Sequence, residues 1–122
     1  MSEITPTVTR IGRNAVRITY ADMTVSDTGV PIGKNWNDYY DRSVQVGGAF
    51  GSNGSITVEA SNDGGSSYLA VTDGQGNAVT KTAAGYEQVV ECAALMRPNV
   101  TIGDANTAID VNFFLKRDPV KK

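Results

Sequence analysis

The sequence predicts an all-β protein: an antiparallel, jelly-roll-like β-sandwich of about eight strands with an extended N-terminal arm. Composition is the first reason. Val, Ile and Thr number 14, 7 and 12, against three Leu. Branched side chains suit a pleated surface, and a helical bundle would be rich in Leu. Patterning is the second reason. Apolar residues recur at every second position in short runs, and clusters of Gly, Asn and Asp separate those runs. Length is the third. A chain of 122 residues suits one domain, which buries roughly two-thirds of its unfolded surface without disulfides or metal.

Residues 1–13 hold Thr5-Pro6-Thr7-Val8-Thr9-Arg10 and end at Gly12. Pro6 argues against a central strand, so this segment is an edge strand or an extended arm. Its apolar residues Ile4, Val8 and Ile11 are candidates for partner contact. Residues 14–117 form the sandwich domain. Val16, Ile18 and Tyr20 point one way, and Arg17 and Thr19 the other. Residues 22–41 lack regular pattern and are longer than ordinary connections, a length associated with functional loops.

From Arg42 the strands come quickly. Val44 and Val46 alternate with Ser43 and Gln45. Gly47-Gly48 and Gly51-Ser52-Asn53-Gly54 read as turns, with room for a bulge. Ile56, Val58 and Ala60 face away from Thr57 and Glu59. Ser61-Asn62-Asp63-Gly64-Gly65 is a hairpin signal, and Tyr68-Leu69-Ala70-Val71 returns from it. Asp73-Gly74-Gln75-Gly76-Asn77 turns into a short strand at 78–82, and residues 86–92 make another. The run from Leu95 to Ile102 is interrupted by Pro98, so it reads as an edge or bulged strand. Ile109, Val111, Phe113 and Leu115, alternating with Asp110, Asn112, Phe114 and Lys116, form the clearest strand. Residues 118–122 are a basic C-terminal tail. Exposed apolar faces are covered by pairing two sheets.

Several functions are excluded. Eleven cations against 13 anions give a net charge of −2, which supplies no field for concentrating nucleic acid. No apolar run approaches the roughly 20 residues of a membrane span. The N-terminus lacks the basic and apolar regions of a signal peptide, so the sequons at Asn53 and Asn99 read as chance. The chain has no His, so neither a Ser-His nor a Cys-His pair can be built. Cys92, the single cysteine, is expected as a small buried apolar residue. Gly74-Gln75-Gly76-Asn77-Ala78-Val79 lies between strands and ends in Val, unlike a dinucleotide loop. Asp73 to Ala84 lacks the central Gly and final Glu of a calcium loop. Asn62, Asp63 and Asp73 read as turn formers, and Glu87 and Glu91 as solvent-facing strand positions. No cofactor, metal or catalytic activity is expected.

Two features point to interaction. Trp36, Tyr39 and Tyr40 stand within five positions of a polar loop, and Trp and Tyr are favoured interface anchors. These rings either cap the open end of the core or face a partner. At least one of Tyr39 and Tyr40 faces outward, because adjacent extended residues point opposite ways. Phe114 lies on the face opposite the apolar stripe, where it is covered by the arm or by a second subunit.

The sequence resembles small structural proteins of tailed bacteriophages. The resemblance lies in Asp27-Thr28-Gly29-Val30-Pro31, in Asp41-Arg42-Ser43-Val44-Gln45-Val46 and in the run from Gly54 to Gly64. It continues in Ala84-Gly85-Tyr86-Glu87-Gln88-Val89, Met96-Arg97-Pro98-Asn99-Val100-Thr101 and the closing Leu115-Lys116-Arg117. It spans residues 14–117. Several such proteins are head decoration, or cement, proteins that bind the outside of the capsid. The resemblance implies a virion protein whose partners are the major capsid protein and itself. A homotrimer at three-fold positions is implied, with a dimer at two-fold positions as the other option. On that reading the segment from Ile4 to Ile11 and the aromatic loop straddle joints between capsid subunits. The alternative is a carbohydrate-binding or host-adhesion module of a tail fibre, with Trp36, Tyr39 and Tyr40 as stacking platforms.

Overall fold

The structure, a computed structural model, describes residues 2–118. Apart from Asp118, the basic tail expected at 118–122 lies outside the described residues. Eleven strands follow in order: β1 (Glu3–Ile4), β2 (Thr7–Gly12), β3 (Ala15–Met23), β4 (Thr28–Gly29), β5 (Asp41–Ala49), β6 (Ser55–Ser61), β7 (Leu69–Ala70), β8 (Thr80–Lys81), β9 (Gly85–Val89), β10 (Leu95–Ile102) and β11 (Ala108–Lys116). A 3-10 turn spans Lys34–Trp36. Four of the strands, β1, β4, β7 and β8, are two residues long. A pair of residues has no period to read, which accounts for the difference from about eight.

One sheet has the order β1-β4-β10-β6-β7, with β8 also on β6; the other has the order β2-β3-β11-β5-β9. The chain switches repeatedly between the sheets, in jelly-roll manner. The pairings are antiparallel, except for β1 on β4. Register fixes the core. Ile18, Phe113 and Val44 stand abreast, as do Tyr20, Val111 and Val46. Ile56, Val58, Met96 and Val100 bury toward them from the six-stranded sheet. Each such side chain contributes roughly 1.5–3 kcal/mol on burial. The Tyr20 ring meets Phe113 edge-on at 6.0 Å.

The N-terminal segment takes the edge-strand option in both sheets. β1 lies parallel on β4 and β2 lies antiparallel on β3. The N–H groups of Thr28 and Val30 donate to the carbonyls of Ser2 and Ile4 at 3.0 and 2.8 Å. Thr5 and Pro6 carry the chain across the open side, so the extended segment laces the two sheets together.

Pro98 sits in a strand that is bulged, between Val100 and Ile102, but is not an edge, since β10 lies between β4 and β6. On the β4 side, Met96 exchanges bonds with Ile32, and Val100 with Ser26 and Asp27. Pro98 falls between these bonds and faces Gly29. A Cβ on Gly29 would stand 2.6 Å from the Pro98 ring and 2.4 Å from the Tyr20 ring. Gly29 is what lets a proline occupy an interior strand. Gly47 and Gly48, expected as a turn, lie within β5, while the turn expected at Gly51-Ser52-Asn53-Gly54 is present. The register between β5 and β11 runs unbroken through both glycines.

The turns are tied by carboxylates. Asp63 accepts from the hydroxyls of Ser67 and Ser61 (2.6 and 2.7 Å) and from the Ser67 N–H (3.0 Å). Asp73 accepts from the N–H groups of Gln75 and Asn77, and Asp104 from those of Ser52 and Asn106. The Thr72 hydroxyl and N–H hold Glu91 at 2.6 and 2.7 Å. These bonds favour the charged forms and set all four pKa values below the ordinary 3.8 for Asp and 4.5 for Glu. A native pKa below the unfolded one means that the unfolded chain takes protons first as pH falls. The stabilisation is therefore present above the unfolded values and is lost as pH falls through the native ones. With no His, little else changes charge near neutrality. The melting temperature is expected to be flat from about pH 6 to 8 and to fall steadily from about pH 4 toward 2. Thermal melts across that range check this, and a stability transition centred near pH 6 would contradict it.

Candidate functional site

One end of the sandwich is closed by the loop from Pro31 to Tyr40, and a buried arginine holds that loop. Arg42 shares the inward phase of β5 with Val44 and Val46 and is 2% exposed. Its Nε donates to the Tyr39 carbonyl at 2.8 Å, and its Nη2 to the Trp36 carbonyl at 3.1 Å. Nη1 points at the Met96 sulfur, 3.8 Å away. Burial lowers its pKa from the ordinary 12.5, yet a guanidinium stays charged in proteins. Among the described residues no carboxylate pairs with it. The charge is spent on loop carbonyls.

Two more arginines fix the rings. Arg10 lies over Trp36 (5.3 Å to the ring centroid) and donates to the Tyr39 hydroxyl at 3.0 Å. Arg117 lies over Tyr39 at 4.8 Å and pairs with Asp38 at 3.1 Å. Trp36 and Tyr39 meet edge-to-face at 5.3 Å. Tyr39 is thus buried at 2% exposure, whereas Tyr40 turns outward at 55% and donates to Asp118 at 3.3 Å. Beside this loop, Pro6, Val8, Pro31 and Trp36 line a groove of about 240 Å³ floored by Ile18 and Ile32. Its walls are pinned before any partner arrives, and preorganisation of this kind reduces the entropy cost of binding.

Ile11 and Phe114 come together elsewhere, on the outer face of the five-stranded sheet. Register sets Arg17, Phe114, Ser43 and Gln88 abreast, with Thr19, Asn112, Gln45 and Tyr86 in the next outward row. Ile11 (51% exposed), Phe114 (40%) and Tyr86 (72%) surround a shallow depression of about 200 Å³ with Arg17, Ser43, Gln45 and Asn112. The six-stranded sheet's outer face differs. There Glu59 takes Arg97 at 3.2 Å and Asn99 at 3.0 Å, Thr57 bonds Thr80 at 3.0 Å, and Arg97 stacks on Tyr68. That face is polar and paired within itself.

The remaining candidates separate. Ile4 is half-buried and packs on the core. Cys92 is exposed, contrary to the buried position expected. β9 ends at Val89, the inward position near the rim falls to Ala93, and the Cys92 thiol reaches the Asn37 carbonyl at 3.7 Å. Glu87 does not face solvent freely: it is half-buried and pairs with Lys81 of the opposite sheet at 3.0 Å. Among the described residues no group of three or more His, Cys, Asp and Glu is placed to hold a metal ion. Sequence reasoning missed Arg10, Arg42, Arg117 and Tyr86. For Arg42 the signal was its phase with Val44 and Val46, and for Tyr86 its place in the outward row of β9.

No protein-family model matches the chain, and no curated protein matches its sequence. Its fold is similar to that in the crystal structure of the SPBc2 prophage-derived protein YomS. The two superpose with a TM-score of 0.60 over 88% of this chain and 98% of that chain, at 9% identity. At that identity the likeness is one of fold.

Proposed function

We propose that the protein is a bacteriophage virion structural protein that binds the outside of an assembled capsid and stabilises it, as a decoration or cement protein. Its partner is the major capsid protein and its location the capsid surface. The observation that supports this most is the rim held by Arg10, Arg42 and Arg117, with its groove of mixed polar and apolar lining formed by Pro6, Val8, Pro31, Asn35 and Trp36. The fold shared with a prophage-derived protein agrees with a phage origin. Residues 3–12 are zipped onto both sheets, so on this reading a fixed edge, not a free arm, meets the lattice. A protein that binds only the assembled shell adds its binding free energy to the stability of that state. Many copies multiply modest contacts.

Sugar binding through three stacked rings is less well supported, because Tyr39 is buried, with Arg117 over its ring and Arg10 on its hydroxyl. The test is co-sedimentation with capsids lacking the protein and with unassembled capsid subunits. Retention is expected on capsids alone. Val8→Asp, at an exposed position, is expected to weaken it at least about tenfold while leaving the protein's own melting close to wild type. Absence of retention at saturating concentration would sink the proposal.

A further inference from the structure

We infer that the outer face of the five-stranded sheet pairs with the same face of a second copy of this chain, about a two-fold axis that crosses the strands. The inference is independent of the capsid reading, because it uses the face and not the rim.

The face is divided by charge along its strands. Lys116 and Arg17 stand toward the C-terminal end of β11, with Asp41 beside Lys116. Asp110 and Asp22 stand toward the other end, joined by a bond from the Asp22 N–H to the Asp110 carboxylate at 2.9 Å. None of these five belongs to an ion pair among the described residues. Between the two ends lie Phe114, Tyr86 and the amides of Asn112, Gln45 and Gln88.

A face that is net positive at one end, where Lys116 and Arg17 outnumber Asp41, and negative at the other is self-complementary under one two-fold operation: the one that reverses strand direction. An axis between the levels of Phe114 and Asn112 lays Lys116 opposite the second copy's Asp110. It also lays Phe114 over the second copy's Asn112, at the depression. A like-end pairing would set cation on cation. A three-fold arrangement cannot pair the face with itself at all.

Size agrees. β3, β5 and β11 are each nine residues long. At about 3.4 Å per residue and about 4.8 Å between strands, the face covers roughly 600 Å² per copy. Both copies together bury about 1,200 Å², the lower end of specific interfaces. The other sheet's outer face has no such capacity, since its Glu59, Arg97 and Asn99 already satisfy one another.

Sedimentation analysis of the purified full chain over a range of concentrations tests this. The expected result is a monomer–dimer equilibrium that weakens as salt rises from about 50 to about 500 mM. Phe114→Ser and Lys116→Asp are each expected to raise the dimer dissociation constant at least about tenfold. Adding Asp110→Lys to Lys116→Asp is expected to recover most of that loss. Thermal melts establish that each variant is folded, and the surface change Phe114→Ser decides the matter should Asp110→Lys disturb the bulge it borders. A chain that stays monomeric at all concentrations, one that forms trimers, or a dimer that Phe114→Ser and Lys116→Asp leave unchanged would overturn the inference.

Discussion

Arg42→Ala is expected to lower stability by about 3–4 kcal/mol, the largest single effect on the rim. Truncation leaves the Trp36 and Tyr39 carbonyls without their donors and opens a cavity under the loop. Losing hydrogen bonds from a charged group costs about 1.5–3 kcal/mol each, and the cavity adds to that. Relief from holding a charge in the interior offsets part of the sum. In a domain of this size the change corresponds to a fall of roughly 12–16 °C in melting temperature. Arg42→Met retains the volume and removes the buried charge, so it is expected to cost less than Ala. The effect also has a local signature. Trp36 is the single tryptophan, and its emission is expected to shift to longer wavelength as the loop opens. Capsid retention is expected to fall as well, although Arg42 itself is buried away from any partner. Melting within about 2 °C of wild type, with unchanged emission, would show that the loop is held by something else.

Gly29→Ala is expected to cost about 2–4 kcal/mol, for the opposite reason: there is no room. The added methyl would meet Tyr20 Cε2 at 2.4 Å and Pro98 Cδ at 2.6 Å. Neither neighbour yields easily. The Tyr20 ring is fully buried, its hydroxyl donates to the Val30 carbonyl at 2.6 Å, and its edge lies on Phe113. Pro98 is locked in β10 between two pairs of ladder bonds. Overpacking of this kind costs about 1–3 kcal/mol, occasionally more. A double-mutant cycle with Tyr20→Leu separates a steric clash from a general weakening of β4. Leu vacates the space the methyl needs, so the pair is expected to be more stable than the sum of the single changes by at least about 1 kcal/mol. Urea unfolding of the four proteins measures it, and simple additivity would contradict the steric account.

The fold was legible wherever the physics is local. β3, β5, β6 and β11 announce themselves because alternate side chains of one strand reach opposite faces. The opposite directions of Tyr39 and Tyr40 follow from the same geometry. The two-residue strands were illegible because they exist only through their partners. β4 is a strand because β1 and β10 flank it. Pro98 read as the mark of an edge or bulged strand; the bulge is there, but the strand's interior place was hidden because the glycine that accommodates Pro98 lies far away in sequence. Cys92 read as buried from its residue type alone, whereas β9 turns Glu87 and Val89 inward and so leaves position 92 in the outward phase. The site was half legible. Aromatic residues in a polar loop marked Val8's neighbour Trp36, but not the arginines that pin it. A buried arginine bound to carbonyls has the same sequence signature as a surface one, except for its phase. The outer face needed the register of five strands before Ile11, Phe114 and Tyr86 could be seen together.

The central claim is that the rim binds an assembled capsid, and electron microscopy of decorated shells tests it most directly. Capsids lacking the protein are imaged after mixing with the wild-type chain and, separately, with Val8→Asp. The expected result is symmetric added density at one class of lattice position, its Trp36 end against the shell, with the density absent for Val8→Asp. Bare shells at saturating wild-type protein, or density seated on the shell by the polar outer face of Arg97 and Glu59, would contradict the account.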